Sequence, residues 1–145
     1  MTSLVENKKA HFDYEFKEHF EAGIELLGLE VKSLRANRGS LTGAHIIIRD
    51  GQGWLVGADI PPYQANNTPT DYDSKRTRRI LLTKKELQEL STADGKSGLT
   101  IVPISMYIKG RKIKIDIAIA RGKKKHDKRE VLKKRDLDRE MSRGL

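Results

Sequence analysis

The feature that most constrains the fold is a pair of alternating segments between residues 100 and 119. In 113–119 every odd position is isoleucine, and in 102–108 every even position is apolar. Alternation with a period of two is typical of half-buried strands, and Lys109-Gly110 between the segments is a tight-turn signal. The chain therefore predicts an antiparallel hairpin with one buried face. The residues of its first strand predicted to share that face are Val102, Ile104, Met106 and Ile108.

A second alternating segment extends over residues 12–26. Its even positions are mostly apolar, which predicts another half-buried strand. Glu18 breaks the alternation and Gly23 weakens it. We therefore expect a bend or a bulge within this strand.

Shorter signals complete the predicted set of elements. Residues 44–49 and 54–60 are β-rich and flank a hairpin turn at 50–53, while 80–82 is a short apolar strand. One short helix is predicted where Leu27, Val31 and Leu34 have helical spacing, and a second after Thr83 and Glu86, which have capping-box spacing.

Together these signals predict a mainly β protein with about six strands before residue 121. Hairpin connections favour an antiparallel sheet, and closing that sheet removes its exposed edges. The predicted fold is a small closed antiparallel barrel of the OB type with two or three peripheral helices. We divide the chain into a flexible N-terminus (1–8), the barrel (9–120) and a basic tail (121–145).

The net charge is concentrated in that tail. The chain has a formal charge of +9, and residues 121–145 contribute +6 from eleven Lys and Arg against five Asp and Glu. A segment so charged and so poor in apolar residues buries too little surface to offset its ordering entropy. We expect it to be disordered when free and to fold on a polyanionic partner.

Composition and motifs argue against several classes of protein. There is no cysteine, no signal peptide and no apolar run near the 20 residues of a membrane span, so we expect a cytoplasmic protein without membrane contact. No residues are spaced as a nucleophile with its base, and the four histidines form no helical metal pair. We expect no enzyme activity, metal or cofactor, and keep a small nuclease as the rival from another class.

Basic residues instead favour nucleic-acid binding. The string at 75–79 precedes a strand, and Lys112 and Lys114 alternate with buried isoleucines, so both should project outward. A basic stripe would extend beyond that strand, although a solvated charged face is the alternative for any single residue. The predicted stripe consists of Arg121, Lys123, Lys124 and Lys125.

Four strings make the sequence resemble a known family. They are FEAGI at 20–24, GLEVKSLRA at 28–36, RTRRILL at 76–82 and ARGKKKHDKR at 120–129. Found together in this order, they resemble the bacterial SsrA-binding protein (SmpB) family. The resemblance covers about residues 7–145.

The resemblance implies an OB-like barrel that binds the tRNA-like domain of tmRNA. It also implies delivery of alanyl-tmRNA, with EF-Tu, to stalled ribosomes in trans-translation. In such a protein the tail would sense the empty mRNA channel and decoding centre on small-subunit rRNA. A general tRNA- or rRNA-binding OB protein without tmRNA specificity is the alternative.

The resemblance also implies roles for particular residues. The family's tmRNA contacts match Glu21, Leu81 and Lys114. Without the family, Glu21 would be interpreted as an exposed strand acid and Leu81 as core. The family's decoding-centre tail motif, a helix on the ribosome, matches His126, Asp127, Lys128 and Arg129.

Two positions depart from the family pattern. Phe12 stands where relatives usually carry histidine, so the polar contact of the family is not expected there, although a phenyl ring can still stack. Asp116 shares the predicted outward face of Lys114. Its carboxylate should weaken the local positive potential.

Overall fold

The structure, a computed structural model, describes residues 2–64, 66 and 68–123. Every paired strand runs antiparallel to its neighbours. The elements in chain order are β1 (Thr2–Glu6), α1 (Lys8–Asp13), β2 (Tyr14–Ile24), α2 (Gly28–Arg35), β3 (His45–Arg49), β4 (Gln52–Val56), β5 (Arg78–Leu81), α3 (Lys84–Asp94), β6 (Leu99–Lys109) and β7 (Lys112–Gly122).

Six of these strands close into a ring. The order is β3-β4-β5-β2-β7-β6, and the pair Ile46 and Ile101 joins β3 back to β6. Strand β1 pairs with the other half of the same β6 edge. Closure leaves few unpaired backbone groups on the barrel. The predicted closed, OB-like antiparallel barrel with peripheral helices is confirmed.

The β6–β7 hairpin supplies much of the core. All four alternating isoleucines of β7, from Ile113 to Ile119, belong to the core cluster. The predicted face of β6 is partly wrong, because Ile101 and Met106 enter the core cluster whereas Val102 and Ile104 are buried outside it. A register shift between Pro103 and Ser105 inverts the alternation within the strand.

The N-terminus differs from the flexible segment expected for residues 1–8. Residues 2–6 form β1, whose Leu4 and Val5 are buried against the barrel. Asn7 is 2% exposed and fixes the next turn. Its side-chain amide donates to the carbonyls of Leu41 and Pro103, and its Oδ1 accepts from the amide of Ala10 at the start of α1.

Strand β2 begins at Tyr14 rather than at 12, because α1 occupies residues 8–13. The predicted irregularity is confirmed by a register shift between Phe16 and Glu18. Phe20 and Ala22 belong to the core cluster. Since side chains alternate along a strand, residues 19, 21 and 23 lie on the outer face.

The short-range turn and cap signals are also confirmed. Asp50 and Gly51 have φ of 55° and 69°, the left-handed values that a two-residue hairpin turn requires. Thr83 Oγ1 accepts from the Glu86 amide at 3.2 Å, and Oε1 of Glu86 accepts from the Thr83 amide at 3.0 Å. Helix α3 then buries Leu90 against the core.

Among the described helices, none is long and apolar enough to cross a membrane.

Candidate nucleic-acid interface

Three residues far apart in sequence meet on the outer face of the barrel around Gly23. Gly23 in β2 pairs with Leu81 in β5 on one side and with Lys114 in β7 on the other. Glu21 lies two residues earlier on the same face. The structure therefore brings the sequence-predicted Glu21, Leu81 and Lys114 together in one patch, which we call the Gly23 patch.

Leu81 is exposed, so its interpretation as a core residue is wrong. Its exposed fraction is 46%, which is large for a leucine on a barrel strand. The absence of a side chain at Gly23 leaves room beside it, since a Cβ built at Gly23 would lie 3.3 Å from the Leu81 Cβ. The Leu81 side chain fills that room, since its Cδ1 would also lie 3.3 Å from the added Cβ, and its outer side offers an apolar surface to solvent.

The Glu21 carboxylate is held in place by two donors. The Tyr107 hydroxyl donates to one oxygen, and Lys109 Nζ donates to the other at 2.9 Å. The Tyr107 hydrogen bond and then that of Lys109 lower the pKa of Glu21. Burial and the hydrogen bond to Glu21 raise the pKa of Tyr107. Glu21 is therefore an ionised, oriented and still accessible acceptor, suited to a base-edge amino group or a 2′-hydroxyl.

Asp116 lies beside this patch, directly across from Glu21 on the neighbouring strand. Nδ1 of His19 is 3.4 Å from both carboxylate oxygens of Asp116. The pKa of Asp116 is raised, mainly by burial of its carboxylate, and the interaction with His19 acts in the opposite direction to lower it. As predicted, the acid shares the outward face of Lys114 and lowers the local positive potential.

The basic string at 75–79 is only partly a surface feature. Arg78 is 0% exposed and its Nε donates to Glu30 Oε2 at 2.8 Å. Arg76 donates from Nε to the same oxygen at 3.0 Å and also to Oε1. Both arginines pair with Glu30 and so stabilise the fold; Arg78 is fully buried, while the Arg76 side chain keeps 29% of its surface exposed. Arg79 remains at the surface, with its side chain 42% exposed and 3.5 Å from Glu25.

Glu30 organises this buried cluster, and sequence reasoning missed it. Burial would raise the pKa of Glu30, but hydrogen bonds from Arg76, the Leu27 amide and Arg78 outweigh it, so the pKa is lowered. The Tyr72 hydroxyl also donates to Glu30, at 3.1 Å. The position of Glu30 at the third residue of α2, where a carboxylate caps the helix start, was the available signal.

The predicted basic stripe is divided between two faces. Lys114 and Arg121 are an odd number of residues apart along the regular strand β7, so their side chains lie on opposite faces of the strand. Arg121 therefore lies on the same face as the isoleucines. There it lines a shallow cavity at the barrel end with Lys17 and Ile119. Lys123 extends past β7, and its Nζ donates to the carbonyl of His11 at 3.0 Å.

The remaining predicted site residues lie outside the described part of the chain. These are Lys124 and Lys125 of the stripe and the tail motif of His126, Asp127, Lys128 and Arg129. Within the described ranges, no group of three or more His, Asp or Glu side chains is arranged to hold a metal ion.

The fold and the Gly23 patch define a class of protein, the small antiparallel barrel whose strands carry an outer face of mixed polar and apolar residues. A family model described as "SmpB protein" matches residues 4–145. The chain therefore belongs to the SmpB family, and the resemblance seen in the four sequence strings is confirmed.

Individual relatives agree with the family assignment. An SsrA-binding protein of Gloeothece citriformis is 45% identical over 142 residues, covering 98% of this chain and 92% of the relative. One of Burkholderia vietnamiensis is 43% identical over 141 residues, covering 97% and 95%. A chain in the solved structure named "tmRNA-SmpB: a journey to the center of the bacterial ribosome" is similar with a TM-score of 0.70 and 39% identity, covering 88% of this chain and 92% of that one.

Proposed function

We propose that this protein binds the tRNA-like domain of tmRNA and delivers it to stalled ribosomes in the bacterial cytoplasm. The meeting of Glu21, Leu81 and Lys114 around Gly23 is the observation that carries the proposal. The names of its relatives support the same RNA and the ribosome as partners. The protein acts as an RNA-binding factor and not as the catalyst of a reaction.

Each residue of the Gly23 patch has a distinct role in this proposal. Lys114 pairs with an RNA phosphate. Leu81 lies against an unstacked base, and the oriented carboxylate of Glu21 accepts from a base edge or a 2′-hydroxyl. A folded RNA is selected because all three contacts must be made at once.

The tail acts separately in the same proposal. Lys128 and Arg129 bind small-subunit rRNA phosphates, while His126 stacks on a base and Asp127 completes the motif. The segment becomes helical in the empty mRNA channel and reaches the decoding centre. EF-Tu accompanies the alanyl-tmRNA that the barrel carries.

Replacing Lys114 with Ala tests the proposal directly. Loss of one phosphate contact should weaken binding to the tRNA-like domain and reduce the slope of log K against log salt by about 0.7–0.9. Binding is measured by titration at several salt concentrations. The control is Lys32→Ala, which removes an exposed lysine of α2 that belongs neither to the Gly23 patch nor to the predicted basic stripe. An unchanged affinity and slope for Lys114→Ala would refute the role of this residue.

A competition assay separates this function from its main alternative. A general tRNA- or rRNA-binding barrel would bind bulk tRNA as tightly as tmRNA, whereas the proposal expects tmRNA to compete much more strongly. The nuclease alternative is tested by incubating the pure protein with RNA and divalent metal. A cleavage activity that stays with the protein through purification and is lost when this protein is mutated would establish that alternative, because a contaminating nuclease would be unaffected by the mutation.

A further inference from the structure

The last turn of α1 and the outer face of β2 together carry a row of three rings that sequence analysis did not identify. Phe16 contacts His11 at a centroid distance of 5.0 Å and an interplanar angle of 70°. On its other side it contacts His19 at 5.8 Å and 85°. Both contacts are edge-to-face, the favourable arrangement for such rings. The two histidines are exposed and Phe16 is partly buried, so this ring row faces solvent.

The ring row is continuous with the Gly23 patch. His19 precedes Glu21 by two residues on the same face, a separation of about 7 Å along a strand. Its imidazole lies 3.4 Å from the carboxylate of Asp116, the cross-strand partner of Glu21. An RNA held at Lys114 and Glu21 therefore has the His19 ring as its neighbour on this strand.

The opposite end of the row meets the start of the basic tail. Lys123 Nζ donates to the carbonyl of His11 at 3.0 Å. Three consecutive lysines begin at this position in the sequence. The rings thus lie between two basic residues, Lys114 and Lys123, which stand nine positions apart and can contact phosphates of the RNA strand beyond either end of the row.

We propose that this ring row is a second part of the RNA interface, on which one or two unstacked nucleotides of the bound RNA lie. The inference rests on the proposed function, because it requires an RNA at the Gly23 patch. Imidazole and phenyl rings stack on any base, so the row adds affinity without reading sequence. Two features of the row favour RNA over a protein partner. The row lies between basic groups, and it holds a single apolar ring flanked by two polar ones.

Two variants test the ring row with the full chain and the tRNA-like domain as probe. His19→Ala removes an exposed ring, and Phe16→Leu keeps apolar bulk but removes the stacking face. Each should weaken binding by about 5-fold or more, the lower range measured for loss of one base-stacking ring. The salt slope should stay unchanged, in contrast to Lys114→Ala, because neither substitution removes a lysine or an arginine.

Matched controls remove rings elsewhere on the barrel. His45→Ala removes an exposed histidine from β3, which does not neighbour β2, and Tyr63→Leu removes an exposed ring from the loop before β5. Both should bind as the parent does. Thermal unfolding checks whether Phe16→Leu keeps the barrel folded. If the barrel is lost in that variant, His19→Ala alone tests the ring row.

The outcomes separate the two proposals. If Lys114→Ala binds more weakly while both ring variants bind as the parent does, the proposal that the ring row binds RNA is overturned. The proposed function remains intact in that case. Parental binding by all three variants would overturn both. A photoreactive group at position 19 should crosslink to RNA on ribosomes loaded with tmRNA, and crosslinks to ribosomal protein alone would contradict the inference.

Discussion

At the residue scale, Glu30 shows how a charge in a helix can belong to the core. Its side chain is 0% exposed, and it joins the start of α2 to Arg78, the first residue of β5, and to Arg76 in the loop just before that strand. Arg78 also donates to the carbonyls of Ala58 and Ser74. The buried charges are thus paired and hydrogen-bonded, the condition under which burial of a charge is tolerated.

Replacing Glu30 with Gln should destabilise the protein by about 3 kcal/mol or more at neutral pH, because it leaves a buried arginine without its counter-charge. The measurement is urea unfolding. Glu25→Gln is the control, since Glu25 is exposed and lies 3.5 Å from Arg79. Loss of this surface pair should cost below about 1 kcal/mol. A similar loss in both variants would contradict a special role for the buried cluster.

The same carboxylate predicts a pH dependence. The folded-state pKa of Glu30 is lowered from its ordinary value of 4.5. Its contribution to stability is therefore present above about pH 4.5 and is lost as the pH falls through the lower folded-state pKa. The difference in free energy of unfolding between the parent and Glu30→Gln should narrow from pH 7 to pH 3. A constant difference over that range would show that the charge of Glu30 is not what stabilises the cluster.

At the scale of elements, β1 is an N-terminal strand with little sequence signal. Five residues are too few for a convincing alternation, and both Leu4 and Val5 are buried although they are adjacent. A register shift between Ser3 and Val5 explains how neighbouring side chains both reach the interior. The strand forms because β6 presents an open edge beyond its pairing with β3.

Deleting residues 2–6 should lower the free energy of unfolding by about 3 kcal/mol or more, since two buried aliphatic side chains contribute about 1.5–3 kcal/mol each. Chemical unfolding of the shortened chain, with Asn7 kept, measures the effect. Replacing the exposed Thr2 and Ser3 with Ala keeps the strand and should change stability by about 0.5 kcal/mol at most. A flexible N-terminus would instead leave unfolding unchanged after the deletion.

At the scale of the whole molecule, recognition and ribosome sensing fall on separate parts of the chain in the proposed function. The barrel carries the Gly23 patch on β2, β5 and β7, all before residue 115. The segment 121–145 carries +6 of the +9 formal charge. The Gly23 patch suits selection of a folded RNA, which requires complementary shape. The basic segment suits docking on the ribosome, which requires electrostatic attraction to rRNA.

Deleting residues 126–145 should leave binding of the tRNA-like domain within about 2-fold, a change of under 0.5 kcal/mol, and abolish peptide tagging on stalled ribosomes. The deletion removes seven basic and five acidic residues, so the lysines at 123–125 and most of the net charge remain. Filter binding and an in vitro tagging assay measure the two activities. Replacing only Lys128 and Arg129 with Ala is the finer variant, and normal tagging by the truncated chain would refute the division of roles.

Local patterns in the sequence determined most of the strands, both turns and the cap of α3. Alternating isoleucines, Asp50-Gly51 and the Thr83–Glu86 spacing act over a few residues, so they can be interpreted without knowing the partner strands. The family resemblance likewise predicted roles for Glu21 and Leu81, which lie within the four strings, and for Lys114, which lies outside them. Composition alone would not have distinguished these three from ordinary surface and core residues.

Only the tertiary structure decided which of these residues face solvent and which face one another. The bulge in β6 reversed the expected face only in the half of the strand before it, and Glu30 drew Arg78 fully and Arg76 partly out of the surface basic string. Register between strands far apart in sequence placed Leu81 and Lys114 on either side of Gly23. The physical reason is that burial and strand register are properties of the closed barrel, set by pairing between segments that are dozens of residues apart, and no local pattern contains them.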